Sequence, residues 1–161
     1  MSRKECAWLG LGTNLGDREA HLARARDLLA AADLTIVRAS SIYETEPRDL
    51  PGQPWFLNQV VEVSTSLDAS GLLALALDTE RQMGRERIVP KGPRVIDIDV
   101  LLHGSSIVSR PGLEIPHPRM AARRFVLEPL AEIAPDLRHP VTGATIAEML
   151  EAVRSQDVRK R

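Results

Sequence analysis

The chain has 161 residues, 43% of them hydrophobic, enough for one domain with a buried core. With 21 basic and 22 acidic residues the formal net charge is -1, so no overall field draws it to nucleic acid or to an anionic membrane, and any basic patch must be local. Its one cysteine, Cys6, excludes an intrachain disulfide, and no run reaches the ~18 apolar residues of a membrane span, so a cytoplasmic, monomeric protein with Cys6 packed in its first strand is expected.

Cys6 to Leu11 reads as a short buried strand closed by a glycine-rich turn, Gly10-Leu11-Gly12-Thr13-Asn14-Leu15-Gly16. Asp17 is placed to cap a helix reaching about Ala32, because Leu22, Ala25, Leu28, Leu29 and Ala32 recur on one face. β-branched residues predict a strand from Thr35 to Tyr43. Three prolines and a glycine between Glu46 and Pro54 require a loop. Phe56 to Ser66 alternates as a third strand, Ser70 is placed to cap a second helix through Met83, and Gly84 stops it. A fourth strand spans Val95 to Leu102.

The order to this point, β-α-β-β-α-β, is the ferredoxin-like arrangement of an α+β fold, with two helices over one face of an antiparallel sheet. C-terminal additions follow: a hairpin at Ile107 to Ile115, the turn Pro116-His117-Pro118, a helical segment from Phe125 to Ala134 and a last helix near Thr145 to Val153. Nothing splits the chain, so residues 1–161 are expected to form a single domain, with a charged tail from 154 onward that frays.

The fourth strand carries the chemistry. Asp97 and Asp99 interrupt an apolar run, Val95-Ile96-Asp97-Ile98-Asp99-Val100-Leu101-Leu102, reached through a basic loop with Arg85, Arg87, Lys91 and Arg94. On a strand the two carboxylates point the same way, with Cα atoms about 6.5–7 Å apart. Two like charges on an apolar face are costly unless water, a cation or a basic group compensates them. Oxygen ligands of this kind suit Mg²⁺, which takes one or two carboxylates and completes its shell with water and substrate phosphates. The arginines can hold phosphate oxygens in a bidentate fork. Together these point to a polyphosphate substrate.

The glycine-rich turn is neither of two familiar phosphate motifs. Its third glycine falls one position late for a dinucleotide fingerprint, and Gly16-Asp17-Arg18 replaces the Gly-Lys-Ser/Thr of a P-loop. His117, between two prolines and with Arg110, Arg119, Arg123 and Arg124 nearby in sequence, is a candidate phosphate contact. His21, His103 and His139 lack metal-ligand spacing and read as surface or local residues.

Several segments taken together resemble the 6-hydroxymethyl-7,8-dihydropterin pyrophosphokinase (HPPK) family of folate biosynthesis. They are Gly10 to Arg18, Ser41 to Pro47, Phe56-Leu57-Asn58, Glu80 with Gly84-Arg85, Gly92-Pro93-Arg94-Val95-Ile96-Asp97-Ile98-Asp99, Pro116-His117-Pro118 and Arg123 to Leu130, collinear over nearly the whole chain. The resemblance implies a ferredoxin-like fold and transfer of a pyrophosphoryl group from ATP to the pterin hydroxymethyl oxygen, with AMP leaving. It implies that Asp97 and Asp99 hold two Mg²⁺ ions, that Arg85 and Arg94 are catalytic and steady the phosphates, and that Glu80, Arg87, His117, Arg123 and the backbone at Val100 bind ATP. The family's pterin pocket maps onto Thr45, Glu46, Phe56, Asn58, Asp97 and Phe125. A flat heteroaromatic ring independently calls for stacking surfaces, here Phe56 and Phe125, and an amide such as Asn58 for its polar edge. Lys91 stands where the family's loop tryptophan is common, and Pro118 where a tyrosine often follows the histidine.

Two further readings share some of these features. A ferredoxin-like sheet can bind nucleic acid, but that needs exposed aromatics and a basic surface, and only 3% of this chain is aromatic. Another Mg²⁺-dependent nucleotidyl or glycosyl transferase would also carry Asp-x-Asp.

Overall fold

The computed structural model describes residues 3–32, 34–46, 52–84 and 95–161. The first strand, β1 (Glu5–Thr13), outruns the expected stretch, so that Gly10 and Gly12 are strand residues rather than parts of a turn. Asp17 caps α1 (Arg18–Ala30) by accepting from Ala20 N, as the sequence predicts. The single strand expected at 35–43 is two: β2 (Leu34–Ala39) and β3 (Tyr43–Thr45). The break has a side-chain cause. At Ser40 the hydroxyl accepts from Val60 N at 3.0 Å, standing in for a ladder carbonyl, while Ser40 N donates to Val60 O.

Next come β4 (Phe56–Thr65) and α2 (Ala69–Gln82), which is capped by Asp68, accepting from Gly71 N, and not by Ser70. Gly84, with φ +79°, ends it in the left-handed region. The acidic strand is β5 (Asp97–His103); Val95 and Ile96 precede it and pack into the core. A hairpin of β6 (Val108–Arg110) and β7 (Leu113–Ile115), a 3₁₀ turn at Met120–Ala122, α3 (Arg124–Ile133) and α4 (Ile146–Glu151) follow. A two-residue strand, β8 (Arg159–Lys160), pairs with β3, so the segment expected to fray is held in the sheet.

The main sheet runs β5-β1-β4-β3-β8, with β2 also on β4, and every pairing is antiparallel. It separates two apolar layers. On one side Leu9, Leu11, Val61, Val63, Ile98 and Val100 meet Leu22, Ala25 and Leu29 of α1 and Leu72 and Ala76 of α2. On the other, Trp8, Val60, Leu101 and Leu102 meet Val126, Leu127 and Leu130 of α3 and Ile146 and Leu150 of α4. The C-terminal helices therefore cover the second face of the sheet.

Two consecutive leucines reach the same layer because β5 bulges: Leu102 pairs with Trp8 and Val100 with Leu9, leaving Leu101 without a partner residue on β1. No helix among the described residues is long and apolar enough to cross a membrane. Cys6 is exposed, not packed as expected, because Glu5 and Cys6 lie beyond both apolar layers at the start of β1.

Candidate active site

The register fixes which side chains share the face covered by α3 and α4. Asp97 pairs with Gly12 and Asp99 with Gly10; across β4, Gly12 opposes Asn58 and Gly10 opposes Val60; on β3, Tyr43 opposes Asn58 and Thr45 opposes Phe56. With period-two alternation, Asp97, Asp99, Gly10, Gly12, Phe56, Asn58, Tyr43 and Thr45 project to one side. The two carboxylates thus point the same way, as the sequence predicts. α3 and α4 bury the Trp8, Val60 and Leu101 end of this face, while Gly12, Phe56, Asp97 and Asp99 remain half-buried.

Gly12 floors a trough beside the acid pair, while Gly10 lies under the Leu101 side chain, 3.6 Å from where a Cβ would stand. A Cβ built on Gly12 would lie 3.5 Å from Asn58 Oδ1 and 3.9 Å from Phe56 Cδ1, so bare backbone is what leaves space there. Asn58 is buried and donates Nδ2 to Thr45 Oγ1 at 2.9 Å, which leaves Oδ1 beside Gly12 as an acceptor. Glu46 is exposed just beyond β3. Phe125, at the start of α3, packs against the second layer, with the Arg123 guanidinium 5.3 Å from its ring centroid. A separate shallow cavity of about 240 Å³, lined by Lys4, Ala32, Leu34, Thr35 and Ser66, lies at the opposite end of the strands and gathers no comparable chemistry.

The charge environment is uneven. Burial and the neighbouring Asp97 carboxylate push Asp99 up from 3.8 to about 7, and Glu80 adds to the rise; Arg123 and Arg119 pull it down without prevailing. His117 moves the other way: burial, then Arg123 and Arg119, push it down to about 4 against the pull of Asp97. Its Nδ1 accepts from Arg119 N at 3.2 Å, so the neutral ring carries its proton on Nε2, which points toward Asp99 Oδ1 at 3.9 Å. That distance and those two shifts describe a neutral donor beside the carboxylate, not an ion pair. Two half-buried carboxylates in this setting suit a hard divalent cation that keeps most of its ligands from water or phosphate.

Glu80 sits differently from a group lining a cleft. It is 4% exposed, reaches from α2 under the sheet, and accepts from Ile98 N at 2.8 Å, the peptide between the two aspartates. The Val100 backbone lies on β5 one residue beyond Asp99. Arg85, Arg87, Lys91 and Arg94 lie outside the described residues, as does most of the loop expected at Glu46 to Pro54. Arg124 and Arg110 are engaged elsewhere: Arg124 donates to Arg154 O and Gln156 O and pairs with Glu128, and Arg110 donates to Ser70 Oγ. His103, expected as a surface or local residue, is buried, with Nε2 2.9 Å from Leu67 O.

Sequence reasoning missed the scaffold beneath the trough. Asn14, fully buried, donates Nδ2 to Gln53 Oε1 and Pro54 O, and Arg18 donates to Trp55 O at 2.8 Å. The glycine-rich stretch therefore anchors the residues leading into β4. Gly12, a glycine inside a strand, was the available signal for the trough itself.

The model of the 7,8-dihydro-6-hydroxymethylpterin-pyrophosphokinase (HPPK) family matches residues 8–135. The 2-amino-4-hydroxy-6-hydroxymethyldihydropteridine pyrophosphokinase of Methylorubrum extorquens is 47% identical over 145 residues, covering 89% of this chain and 90% of that protein. The Bacillus subtilis protein of the same name is 45% identical over 139 residues, 86% of this chain and 83% of its own length. The folic acid synthesis protein fol1 of Pneumocystis carinii is 38% identical over 96% of this chain, but the chain spans only 21% of that protein. In structure, the chain resembles Plasmodium falciparum HPPK-DHPS with pteroate (TM-score 0.75, 17% identity, 94% of this chain and 43% of that one), a likeness that bears on the fold.

The family model and these relatives define a transferase. The chain belongs to the 7,8-dihydro-6-hydroxymethylpterin-pyrophosphokinase family.

Proposed function

We propose that the chain transfers the terminal pyrophosphoryl group of ATP to the hydroxymethyl oxygen of 6-hydroxymethyl-7,8-dihydropterin, releasing AMP, in a Mg²⁺-dependent step of folate biosynthesis. The observation that carries this reading is the shared face: Asp97 and Asp99 stand beside a glycine-floored trough bordered by Phe56 and Asn58. The strand order β5-β1-β4-β3 with α1 and α2 on one side supports reading the fold as ferredoxin-like, with α3 and α4 as additions. A monomeric, cytoplasmic enzyme is the matching expectation.

In this reaction the alcohol oxygen bonds to the β-phosphorus, the bond from that phosphorus to the bridging oxygen of AMP breaks, and the alcohol loses its proton. Asp97 and Asp99 would hold two Mg²⁺, which supply charge neutralisation to the polyphosphate when bound. Phe56 and Phe125 give the ring apolar surface, and Asn58 Oδ1 accepts from its polar edge while Thr45 holds the amide in that orientation. His117, neutral at pH 7, offers Nε2–H to phosphate oxygen without being a proton source. Arg123 adds positive charge on the same side, and Arg85, Arg87 and Arg94 supply the remaining phosphate contacts in this scheme. Glu80 fixes the Ile98 peptide and so the spacing of the two carboxylates.

The test is incubation with ATP, Mg²⁺ and 6-hydroxymethyl-7,8-dihydropterin, followed by identification of the nucleotide released. AMP that requires both the metal and the pterin is expected, and replacing Asp97 or Asp99 by Ala lowers the rate by about 10³-fold or more. ADP as product sinks the assignment.

A further inference from the structure

We propose that Arg159 and Arg161 are positioning residues for the ring-binding end of the site, strapping the outer edge of β3 and the Trp55 ring in place. This rests on the function proposed above for what the trough binds, and on the following geometry for the strap itself.

β3 has only three residues, yet it carries Thr45, whose hydroxyl orients Asn58. A strand that short, paired on one side only, has few backbone bonds to hold it. β8 supplies the second side: Lys160 pairs with Tyr43, Arg159 with Glu44, and Arg161 N donates to Ile42 O at 2.8 Å.

The side chains then tie this edge to α1 and to the entrance of β4. The Arg161 guanidinium contacts Glu44 Oε2 at 3.0 Å and Glu19 Oε1 at 2.8 Å. Glu44 Oε2 is shared with Arg18, 3.3 Å away, and the same Arg18 nitrogen donates to Trp55 O at 2.8 Å. The Arg159 guanidinium lies 4.3 Å from the Trp55 ring centroid. Trp55 immediately precedes Phe56, so its carbonyl and its ring are both gripped one residue before the side chain on the trough. A single exposed ion pair contributes little, but a network of several with a ring contact and a strand pairing acts on one short segment.

The sheet order makes the inference selective. Between β8 and β5 stand β3, β4 and β1, so about 19 Å of sheet at roughly 4.8 Å per strand separates the strap from the acid pair. Loosening the strap should disturb the pterin end and leave the phosphate end alone.

The experiment compares wild type with the Arg159→Ala/Arg161→Ala double variant and with Arg161→Lys. The double variant is expected to raise the KM for the pterin alcohol about fivefold, equivalent to about 1 kcal/mol, with kcat and the KM for ATP within about twofold of wild type. Arg161→Lys, which keeps the charge but not the fork, falls between. In a Trp8→Phe background, where Trp55 is the only tryptophan left, its emission shifts to the red in the double variant. Equal changes in both KM values, or no change in either, overturn the proposal. Should wild type form no AMP, the assigned function falls and the strap is judged by amide exchange alone: faster exchange at Tyr43 to Thr45 in the double variant supports it, and unchanged exchange overturns it.

Discussion

Replacing Asp99 by Asn should make the protein more stable while stopping its chemistry. Asp99 is pushed from 3.8 to about 7 by burial and by Asp97, so the folded state binds this proton more tightly than the unfolded chain does. Stability is therefore full below pH 3.8, declines as pH rises toward 7, and carries the whole penalty above it. At about 1.36 kcal/mol per pH unit the rise is worth about 4 kcal/mol at most. The side chain is 33% exposed, and solvent screening cuts that to about 2 kcal/mol. For a chain of this size the gain corresponds to a Tm higher by about 4–8 °C at pH 8.5. Thermal unfolding of wild type and Asp99→Asn, without divalent ions, at pH 8.5 and pH 5 measures it. The advantage should be largest at pH 8.5 and shrink by more than half at pH 5. Millimolar Mg²⁺ should close the gap by stabilising wild type alone. An advantage that is absent, or equal at the two pH values, refutes the argument that paired carboxylates strain this strand.

Gly12→Ala should fold with stability within about 1 kcal/mol of wild type, since the new Cβ meets only ordinary contacts, yet raise the KM for the pterin because a methyl group occupies the trough. Unchanged kinetics would show that the trough is not where the ring lies. Glu80→Ala should cost about 1–3 kcal/mol in urea unfolding, because the buried Ile98 N–H loses its acceptor; Glu80→Gln keeps an acceptor and should cost less. Burial works to raise Glu132, but hydrogen bonds from Tyr43 and Ser41 outweigh it and hold the carboxyl below the usual 4.5. Its contribution is present above pH 4.5 and lost as pH falls through the depressed value, so Glu132→Ala should flatten the acid limb of the stability curve below pH 4.5. An unchanged acid limb would remove Glu132 from the acid response.

Local signals placed most elements. The Asp17 cap, the α1 apolar stripe as far as Leu29 and the Gly84 stop depend on short-range backbone chemistry and stand where the sequence puts them, while the helix ends at Ala30, short of the expected Ala32, which is exposed. The shared direction of Asp97 and Asp99 was legible for the same reason, since alternation along a strand is a local property. What escaped the sequence depends on partners far along the chain. Ser40 reads as one more strand residue until its hydroxyl is seen on Val60. The tail looked too charged to order, and its charges are what pair it with Glu19 and Glu44. The bond from Ile98 N to Glu80 was not legible, because a buried carboxylate accepting a strand N–H leaves no trace in spacing. Arg124, near His117 in sequence, donates to Arg154 O and Gln156 O and so holds the chain beyond α4, a pairing across 30 residues that no local pattern announces.

The irregularity at Leu101 has a consequence for how this strand tolerates change. In an unbroken ladder with Leu102 facing α3, residues 97 and 99 would turn inward beneath α1 and α2, and two carboxylates would enter oil. The extra residue acts as a half-period phase slip, putting the acids on the same side of the sheet as the two leucines that α3 and α4 cover. The count of residues between Asp99 and Leu102 therefore matters as much as their identity. One insertion there would rotate one group or the other to the wrong side while every side chain in the motif stayed the same.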